Sequence, residues 1–160
     1  MASLLILVTF FLCLPLSLSS NSSIHDLLKS RGLPAGLLPK AVKSYTLSGA
    51  GVLEVHLDGP CLTKFDTITM ACYDPIVRAN LSYRSLAGVE GLSQEELFVW
   101  LPVKDIVVND PSSGLILFDI GLAQKQLSLS LFEDPPDCTP DEGGLLKKKP
   151  RKEKGFEAQR

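Results

Sequence analysis

Short strand-length runs, separated by turn-forming residues, are the feature that most constrains how this chain can fold. From Ser44 onward, eight runs of five to eight residues alternate with glycines, Asp-Pro pairs and a Pro-Ser-Ser-Gly stretch. The runs cover residues 44–48, 52–57, 67–73, 76–83, 96–103, 104–108, 115–120 and 126–132. No long helical pattern lies between them, so parallel β-α-β units are not expected. The sequence predicts an all-β domain, a mostly antiparallel barrel or sandwich with a short N-terminal helix.

The predicted helix precedes the first strand and covers residues 23–31. Ser22 or Ser23 can cap its start, and Gly32 suits the position just after its end. Its apolar stripe consists of Ile24, Leu27 and Leu28. The next seven residues, LPAGLLP at 33–39, are called the connector below. Its prolines prevent it from continuing the helix.

Two predicted strands, at residues 97–101 and 115–118, are apolar on both faces, so a second apolar element must cover them. Three covers are open: the helix with the connector, a second copy of the chain, or a ligand. We favour the connector, because it places much apolar surface in a segment that cannot be a regular helix or strand. In this interpretation Leu33, Leu37 and Leu38 are lid residues.

The start of the chain has the pattern of a signal peptide. The first twenty residues contain no charged side chain, and residues 4–16 form an apolar run that Pro15 and several serines end early. A transmembrane helix needs about 20 apolar residues. We therefore predict a signal peptide over residues 1–20, cleaved at or near Ser20–Asn21, and a secreted protein.

The charge changes sign along the mature chain. Residues 21–138, predicted as a single β domain, carry nine Lys/Arg and fourteen Asp/Glu, a net charge of −5. Residues 139–160 carry seven against four, a net charge of +3, and are predicted to be a disordered basic tail. We do not expect nucleic acid as a partner. The tail is interpreted chiefly as a solvated segment, with acidic polysaccharide or anionic lipid headgroups as alternative partners.

The sequence contains no clear pattern of catalytic or metal-binding residues. The two histidines, His25 and His56, lack metal-ligand spacing, and there is no Cys-x-x-Cys. Glu54 and His56 share one face of a predicted strand, where an exposed pair is favoured over a buried acid–base pair. Pro-Ser-Ser-Gly at 111–114 lacks the first glycine of a hydrolase elbow. We therefore expect no catalytic residue, cofactor or metal.

Two Asn-x-Ser sequons, at Asn21 and Asn80, are candidate glycosylation sites. Asn80 lies in a predicted strand and requires an outward-facing edge to be modified. Asn21 is the poorer acceptor, because cleavage after Ser20 makes it the new N terminus.

The order of these elements resembles the plant family known as "domain of unknown function 538". The connector is similar to the family's Leu-Pro-x-Gly-Leu-Leu-Pro signature, and the resemblance covers residues 23–138. Further matching residues are Tyr45, Cys61, the strand from Ile76, Gly88-Val89, Phe98-Val99-Trp100-Leu101, Phe118-Asp119-Ile120-Gly121, Phe132 and Cys138. The resemblance implies a β-barrel-like, often secreted domain without accepted catalytic residues. It also brings family-level suggestions of lipid binding, a stress or defence role, and chlorophyll binding or breakdown.

Removal of the signal peptide leaves three cysteines, and their number alone allows three pairings. Cys61 follows a Gly-Pro turn and Cys138 lies at the end of the domain, whereas Cys72 lies inside an apolar run. The family's closing cysteine fits the same pair. We predict a Cys61–Cys138 disulfide, with Cys72 as a buried thiol outside it.

Together these features predict a secreted, monomeric binding module for an apolar or amphipathic small molecule or a lipid. The candidate ligand or lid residues are Leu33, Leu37, Leu38, Phe98 and Trp100, although core packing is the commoner role of the two aromatic residues. The alternative is a cell-wall interaction or structural protein with a filled core, and a hydrolase-type enzyme comes third. The binding module and the wall protein differ in whether a cavity lies under the connector.

Overall fold

A single sheet curves around one apolar core in the computed structural model, which describes residues 22–139. The predicted signal peptide over residues 1–20, the Asn21 sequon and the predicted tail beyond Thr139 lie outside the described residues. Within residues 22–139 the sheet has nine strands, and each pair of neighbours is antiparallel. One short helix precedes it, so the predicted fold class is confirmed.

The elements follow one another in a simple order. The helix α1 spans Ile24–Ser30. The strands are β1 (Val42–Leu47), β2 (Val52–Leu57), β3 (Cys61–Lys64), β4 (Met70–Ser82), β5 (Ser85–Glu96), β6 (Val99–Pro102), β7 (Asp105–Val107), β8 (Leu115–Asp119) and β9 (Gln124–Ser128). Short 3-10 turns cover Ala35–Leu37, Pro111–Ser113 and Leu129–Phe132. The order in the sheet is β1-β2-β4-β5-β7-β8-β9, while β3 extends it beside β4 and β6 beside β5. The sheet is not closed, because β1 and β9 remain its edges.

The helix begins as the sequence predicts. The side chain of Ser23 accepts a hydrogen bond from the Asp26 amide at 3.1 Å, which satisfies one of the free amides of the first turn. Ile24 and Leu28 are buried, and Gly32 takes a positive φ of 72° just after the helix end. The helix therefore places one apolar stripe against the concave face of the sheet.

Two predicted strands, at 67–73 and 76–83, are parts of the single long strand β4. The expected turn at Asp74-Pro75 is absent, and β4 runs straight through it. Proline is tolerated there because the ladder to β5 is interrupted between Tyr73 and Arg78, so no β5 hydrogen bond needs the missing amide. The sequence-based prediction was wrong at this point because it took Asp-Pro as a turn signal.

The partner strand β5 was not predicted, because Gly88 and Gly91 suggested turns. Both glycines instead lie inside β5 with positive φ angles of 60° and 83°. A Cβ at Gly91 would lie 2.3 Å from the carbonyl oxygen of Ile76, so only glycine permits the close approach of β4 and β5. These glycines mark strand irregularities rather than loops.

The predicted strand over 96–103 is a hairpin. Glu96 pairs with Val99, and Leu97 and Phe98 form a two-residue turn with φ angles of 48° and 67°. Both turn side chains are exposed, Leu97 by 84% and Phe98 by 94%. The prediction of a strand with two buried faces was therefore wrong, because this turn carries no glycine, asparagine or aspartate that would signal it.

The last predicted run, at 126–132, is a strand only at its start. Ser128 ends β9, and its hydroxyl accepts a hydrogen bond from the Ser130 amide at the start of the 3-10 turn Leu129–Phe132. Phe132 is buried by this turn and stacks on Phe118 of β8, with ring centroids 5.3 Å apart. Residues 129–139 are called the C-terminal segment below.

The connector is buried in the main core, as expected for a lid, and it shares that core with Ile116 and Phe118 of the predicted strand at 115–118. It does not cover the other predicted two-faced strand, at 97–101. Leu33, Leu37 and Leu38 belong to the main cluster of buried side chains. Leu97 and Phe98 stay in solvent, and Trp100 belongs to a separate small cluster with Leu62 and Cys72, against which Met70 packs. The cover for residues 97–101 was therefore assigned wrongly.

Backbone contacts hold the connector in place. The hydroxyl of Tyr73, which is fully buried, donates a hydrogen bond to the carbonyl oxygen of Leu37 at 2.9 Å. Burial raises the pKa of Tyr73, so this hydroxyl keeps its proton. Lys40 continues the contact, since its amide donates to the Pro136 carbonyl at 3.0 Å. Connector and C-terminal segment thus pack together inside the curve of the sheet.

The predicted disulfide fixes the C-terminal segment. Cys61 and Cys138 are bonded, with Cα atoms 5.2 Å apart and 77 positions apart in the chain. Cys72 is buried and takes no part in a disulfide. Thr139, counted in the predicted tail, still belongs to the domain, because its amide donates to the Leu62 carbonyl at 2.7 Å.

We expect Gly36→Ala to destabilise the domain by about 3 kcal/mol, because overpacking of a fixed backbone contact costs this much. A Cβ at Gly36 would lie 2.5 Å from the carbonyl oxygens of both Phe132 and Asp134. Gly49→Ala is the matched control, since nothing lies within 4 Å of its added Cβ, and it should change stability by less than about 1 kcal/mol. Urea unfolding of both oxidised variants measures the difference, and equal effects would contradict the packing account.

Candidate functional site

A pocket lies at one end of the sheet, where the β3–β4 loop meets the β5–β6 turn. Its volume is about 440 Å³. It is lined by Thr67, Ile68, Met70, Glu95, Glu96, Leu97, Phe98 and Lys125, and is called the loop-end pocket below. Glu95 and Glu96 are neighbours in a strand and point to opposite faces, so the pocket passes around the end of β5.

The rim of the loop-end pocket is apolar and faces solvent. Ile68 is 81% exposed, and Leu97 and Phe98 on the opposite loop are still more exposed. Three large apolar side chains converging at two loop tips form an apolar patch, which is uncommon on a monomer unless it has a binding role.

The β3–β4 loop presents Ile68 because Asp66 organises the backbone beneath it. Its carboxylate accepts hydrogen bonds from the amides of Ile68 at 2.8 Å and Thr69 at 2.5 Å. Partial burial raises the pKa of Asp66, but these hydrogen bonds outweigh it and leave the pKa below its ordinary value. The charged carboxylate of Asp66 therefore holds the loop backbone in place, with the Ile68 side chain at the tip of the loop.

An ion pair lies on the core-facing side of the pocket. The ammonium of Lys125 contacts the carboxylate of Glu96, and both side chains are about one-third exposed or less. Lys125 is on the same face of β9 as the buried Leu127, so it reaches Glu96 from the core side of the sheet. Asp66 adds a second negative charge near Lys125. The pocket therefore combines an apolar rim with one cation, Lys125, and two lining carboxylates, Glu95 and Glu96.

The sequence-predicted ligand residues are only partly brought together here. Phe98 lines the loop-end pocket, whereas Trp100 lies behind its wall, in the cluster that packs against Met70. The lid leucines of the connector are buried elsewhere in the main core. Of the five predicted residues, one is a pocket residue.

Sequence reasoning missed Ile68, Glu96, Leu97 and Lys125. Leu97 was assigned to a strand, and the other three are ordinary residue types in loops or at strand ends. The one available signal was the pair of adjacent carboxylates directly before two large apolar residues, Glu95-Glu96-Leu97-Phe98. A core strand seldom begins in this way.

A second, shallower pocket of about 270 Å³ lies on the outer face of the sheet. Asp105 and Asp119 face each other there on β7 and β8. Each carboxylate already accepts a backbone amide, from Gly88 and Gly121 respectively. Within residues 22–139 no group of three or more His, Cys, Asp or Glu side chains is placed to hold a metal ion.

Glu54 and His56 lie on one face of β2, as predicted, and form a surface ion pair. Glu54 contacts His56 at 2.7 Å and Arg78 of β4 at 2.5 Å, and all three side chains are at least about a quarter exposed. The Arg78 hydrogen bond is the main cause that lowers the pKa of Glu54, and His56 adds to it. The favoured reading of an exposed pair is confirmed, with Arg78 as an additional member.

Asn80 is exposed, but its strand is not an edge. β4 lies between β2 and β5, and Asn80 pairs with Val52 on one side and Ala87 on the other. Its side chain points to the outer face of the sheet. Asn80 therefore faces outward from an interior strand and not from the expected edge, and its modification stays a prediction.

Comparison with known proteins identifies the family of this chain. The fold and the loop-end pocket define a small antiparallel β domain whose core is closed by the connector and the C-terminal segment. A family model described as "Protein of unknown function, DUF538" matches residues 24–133, so the chain belongs to this family. The match contains every residue of the loop-end pocket and ends before Cys138. No curated protein and no solved structure matched.

None of the helices among residues 22–139 has the length and hydropathy needed to cross a membrane.

Arg78→Gln should raise the pKa of Glu54 towards its ordinary value, because it removes the hydrogen bond that contributes most to the lowering. A carboxyl pKa held low stabilises the fold above the ordinary pKa, and that contribution is lost as the pH falls through the lowered value. Carboxyl ¹³C shifts across a pH titration measure the pKa. Lys43→Gln is the control, because Lys43 pairs with Asp58 and should leave Glu54 unaffected. An unchanged Glu54 pKa in Arg78→Gln would disprove the assignment.

Proposed function

We propose that this protein is a non-catalytic binding module that holds an amphipathic small molecule or lipid in the loop-end pocket. The observation that carries the proposal is the turn at Leu97-Phe98. Two large apolar side chains stand in water there, on a backbone conformation that favours other residues.

The local cost of that turn supports a functional role. A two-residue hairpin turn with positive φ at both positions strongly prefers Asn-Gly or a similar pair. A residue other than glycine in the left-handed region costs on the order of 1 kcal/mol or more, and such residues cluster at binding and active sites. Exposure of Leu97 and Phe98 adds no compensating burial within the domain. Burial of these two side chains against a ligand would supply the missing compensation.

The chemistry of the lining suits an amphipathic ligand. An apolar body can lie along Ile68, Leu97 and Phe98, while a polar end reaches the Lys125–Glu96 pair. A volume of about 440 Å³ falls within the range of small-molecule sites. Lys125 and Glu96 form an ion pair, and Asp66 holds the loop backbone by hydrogen bonds, which favours binding over catalysis. We expect the protein to act as a monomer.

A cell-wall interaction protein is the second candidate. The observation that favours it is the burial of Leu33, Leu37 and Leu38 in the main core, with the Tyr73 hydroxyl bonded to the connector backbone. A connector fixed in this way is a poor gate. In this alternative the loop tips are a protein or polysaccharide contact, and the basic tail binds acidic polysaccharide.

Leu97→Asn combined with Phe98→Gly separates the two candidates. The double variant should be more stable by about 1 kcal/mol, since it gives the turn its preferred residues. It should also bind a fluorescent fatty acid at least about tenfold more weakly, because two of the three apolar rim side chains are gone. Fluorescence titration at high salt measures affinity, and thermal unfolding measures stability.

Val52→Thr is the control for this experiment, because it removes an exposed apolar side chain from the far end of β2. Its fatty-acid affinity should equal that of the wild type. Saturable uptake that the double variant leaves unchanged would place the ligand elsewhere. Absence of uptake by folded wild-type protein would reject the binding module and favour the wall protein.

We also propose secretion. The charge-free apolar start supports it, and the Cys61–Cys138 disulfide is compatible with an oxidising compartment. N-terminal sequencing of the mature protein should therefore begin within about three residues of Asn21, the slack reflecting several small-residue cleavage sites. A mature protein that begins at Met1 would refute the signal peptide.

A further inference from the structure

The side chain of Gln94 is an unusual feature of the main core. It is 2% exposed, and neither its amide nitrogen nor its amide oxygen has a hydrogen-bond partner among residues 22–139. A buried amide without partners costs folding free energy, and native domains rarely keep one without a use. An apolar residue of similar size would fill the same space at lower cost.

Gln94 lies directly behind the loop-end pocket. It precedes Glu96 by two positions in β5, so both side chains point to the same face of the strand. Its partner on β4 is Ala71, a member of the main core, which confirms that this is the core-facing side. Glu96 lines the pocket and contacts Lys125, so Gln94 lies one same-face position along β5 from the pocket lining.

Aromatic side chains surround the same region of the core. The rings of Phe65 and Phe132 lie 4.7 Å apart, and Phe118 stacks on Phe132. Phe118 is paired with Lys125 across β8 and β9, so the aromatic group lies next to the Lys125 end of the ion pair. A head group that passes Lys125 would therefore enter beside the Phe118 ring.

We infer that Gln94 is the polar contact for an uncharged ligand head group that offers a hydrogen-bond donor and an acceptor side by side, a primary amide or a protonated carboxylic acid. This inference rests on the proposed function, which supplies the route through the loop-end pocket. A primary amide of the ligand can pair with both the nitrogen and the oxygen of Gln94. A charged head group is disfavoured at Gln94, because Gln94 offers no countercharge and burial of an unpaired ion is costly, so a fatty acid would bind there in its protonated form.

The entry step requires only that the Lys125–Glu96 pair parts. Both side chains are partly exposed, so each can turn towards water when a ligand passes. Partly exposed ion pairs are weak, which makes this a low barrier. The Lys125–Glu96 pair then acts as a polar gate in front of the Gln94 amide.

Octanamide and N,N-dimethyloctanamide test the inference, because they share the apolar chain and the carbonyl but only the first has N–H donors. Titration of the mature protein by calorimetry should give octanamide about a tenfold tighter affinity, the size expected for one well-formed pair of hydrogen bonds. Gln94→Leu should fold, be at least as stable as the wild type, and bind both amides equally. Gln126→Leu, the same change on the exposed outer side of β9, should keep the tenfold preference.

The possible failures are distinct. Equal binding of both amides by the wild type overturns the role of Gln94 and leaves the binding module standing. Binding of neither amide by folded protein overturns both. If Gln94→Leu does not fold, the side-chain NH₂ resonances of Gln94 in the wild type decide the question. They should shift on saturation with octanamide and not with the dimethyl amide, and unchanged resonances would refute the contact.

Discussion

The contact between the connector and the C-terminal segment closes the core. At Gly36 the two backbones approach so closely that no Cβ fits between them, and the Tyr73 hydroxyl holds the adjoining Leu37 carbonyl. An open sheet of this size leaves its concave face exposed unless another element fills it. Here the connector and the C-terminal segment fill it, and the disulfide at Cys138 fixes the C-terminal segment. The pocket at the loop end depends on this closure, because the Phe132 ring lies in the same core.

Much of the fold could be predicted because its signals are local. Alternation in β2, the Ser23 cap and the prolines of the connector each follow from a few neighbouring residues. The disulfide followed from the position of Cys61 and Cys138 at element boundaries and from the family resemblance. The burial of the connector followed from its composition. These features need no knowledge of which strands are neighbours.

The rest depends on pairing, which the local sequence does not encode. Pro75 is acceptable in β4 only because the ladder to β5 is interrupted between Tyr73 and Arg78. Leu97-Phe98 has the pattern of a core strand until Glu96 is paired with Val99. The candidate site inherits this difficulty, since its residues come from two loops and from β9. Gln94 shows it most clearly, because a glutamine in a charged stretch suggests a surface position and burial becomes evident only in three dimensions.

The contact between the connector and the C-terminal segment also affects the rate of folding. Lys40 and Asp137, which form an ion pair, are 97 positions apart, so the contacts that complete the core are among the most distant in the sequence. The β4–β5 hairpin can form as soon as residue 96 is available, but the contacts between the connector and the C-terminal segment also need residues 129–139. Distant contacts slow folding, because the entropy of closing a long loop is lost before the contact rewards it. The contact that completes the core is therefore expected to form last as the chain is synthesised from its N terminus.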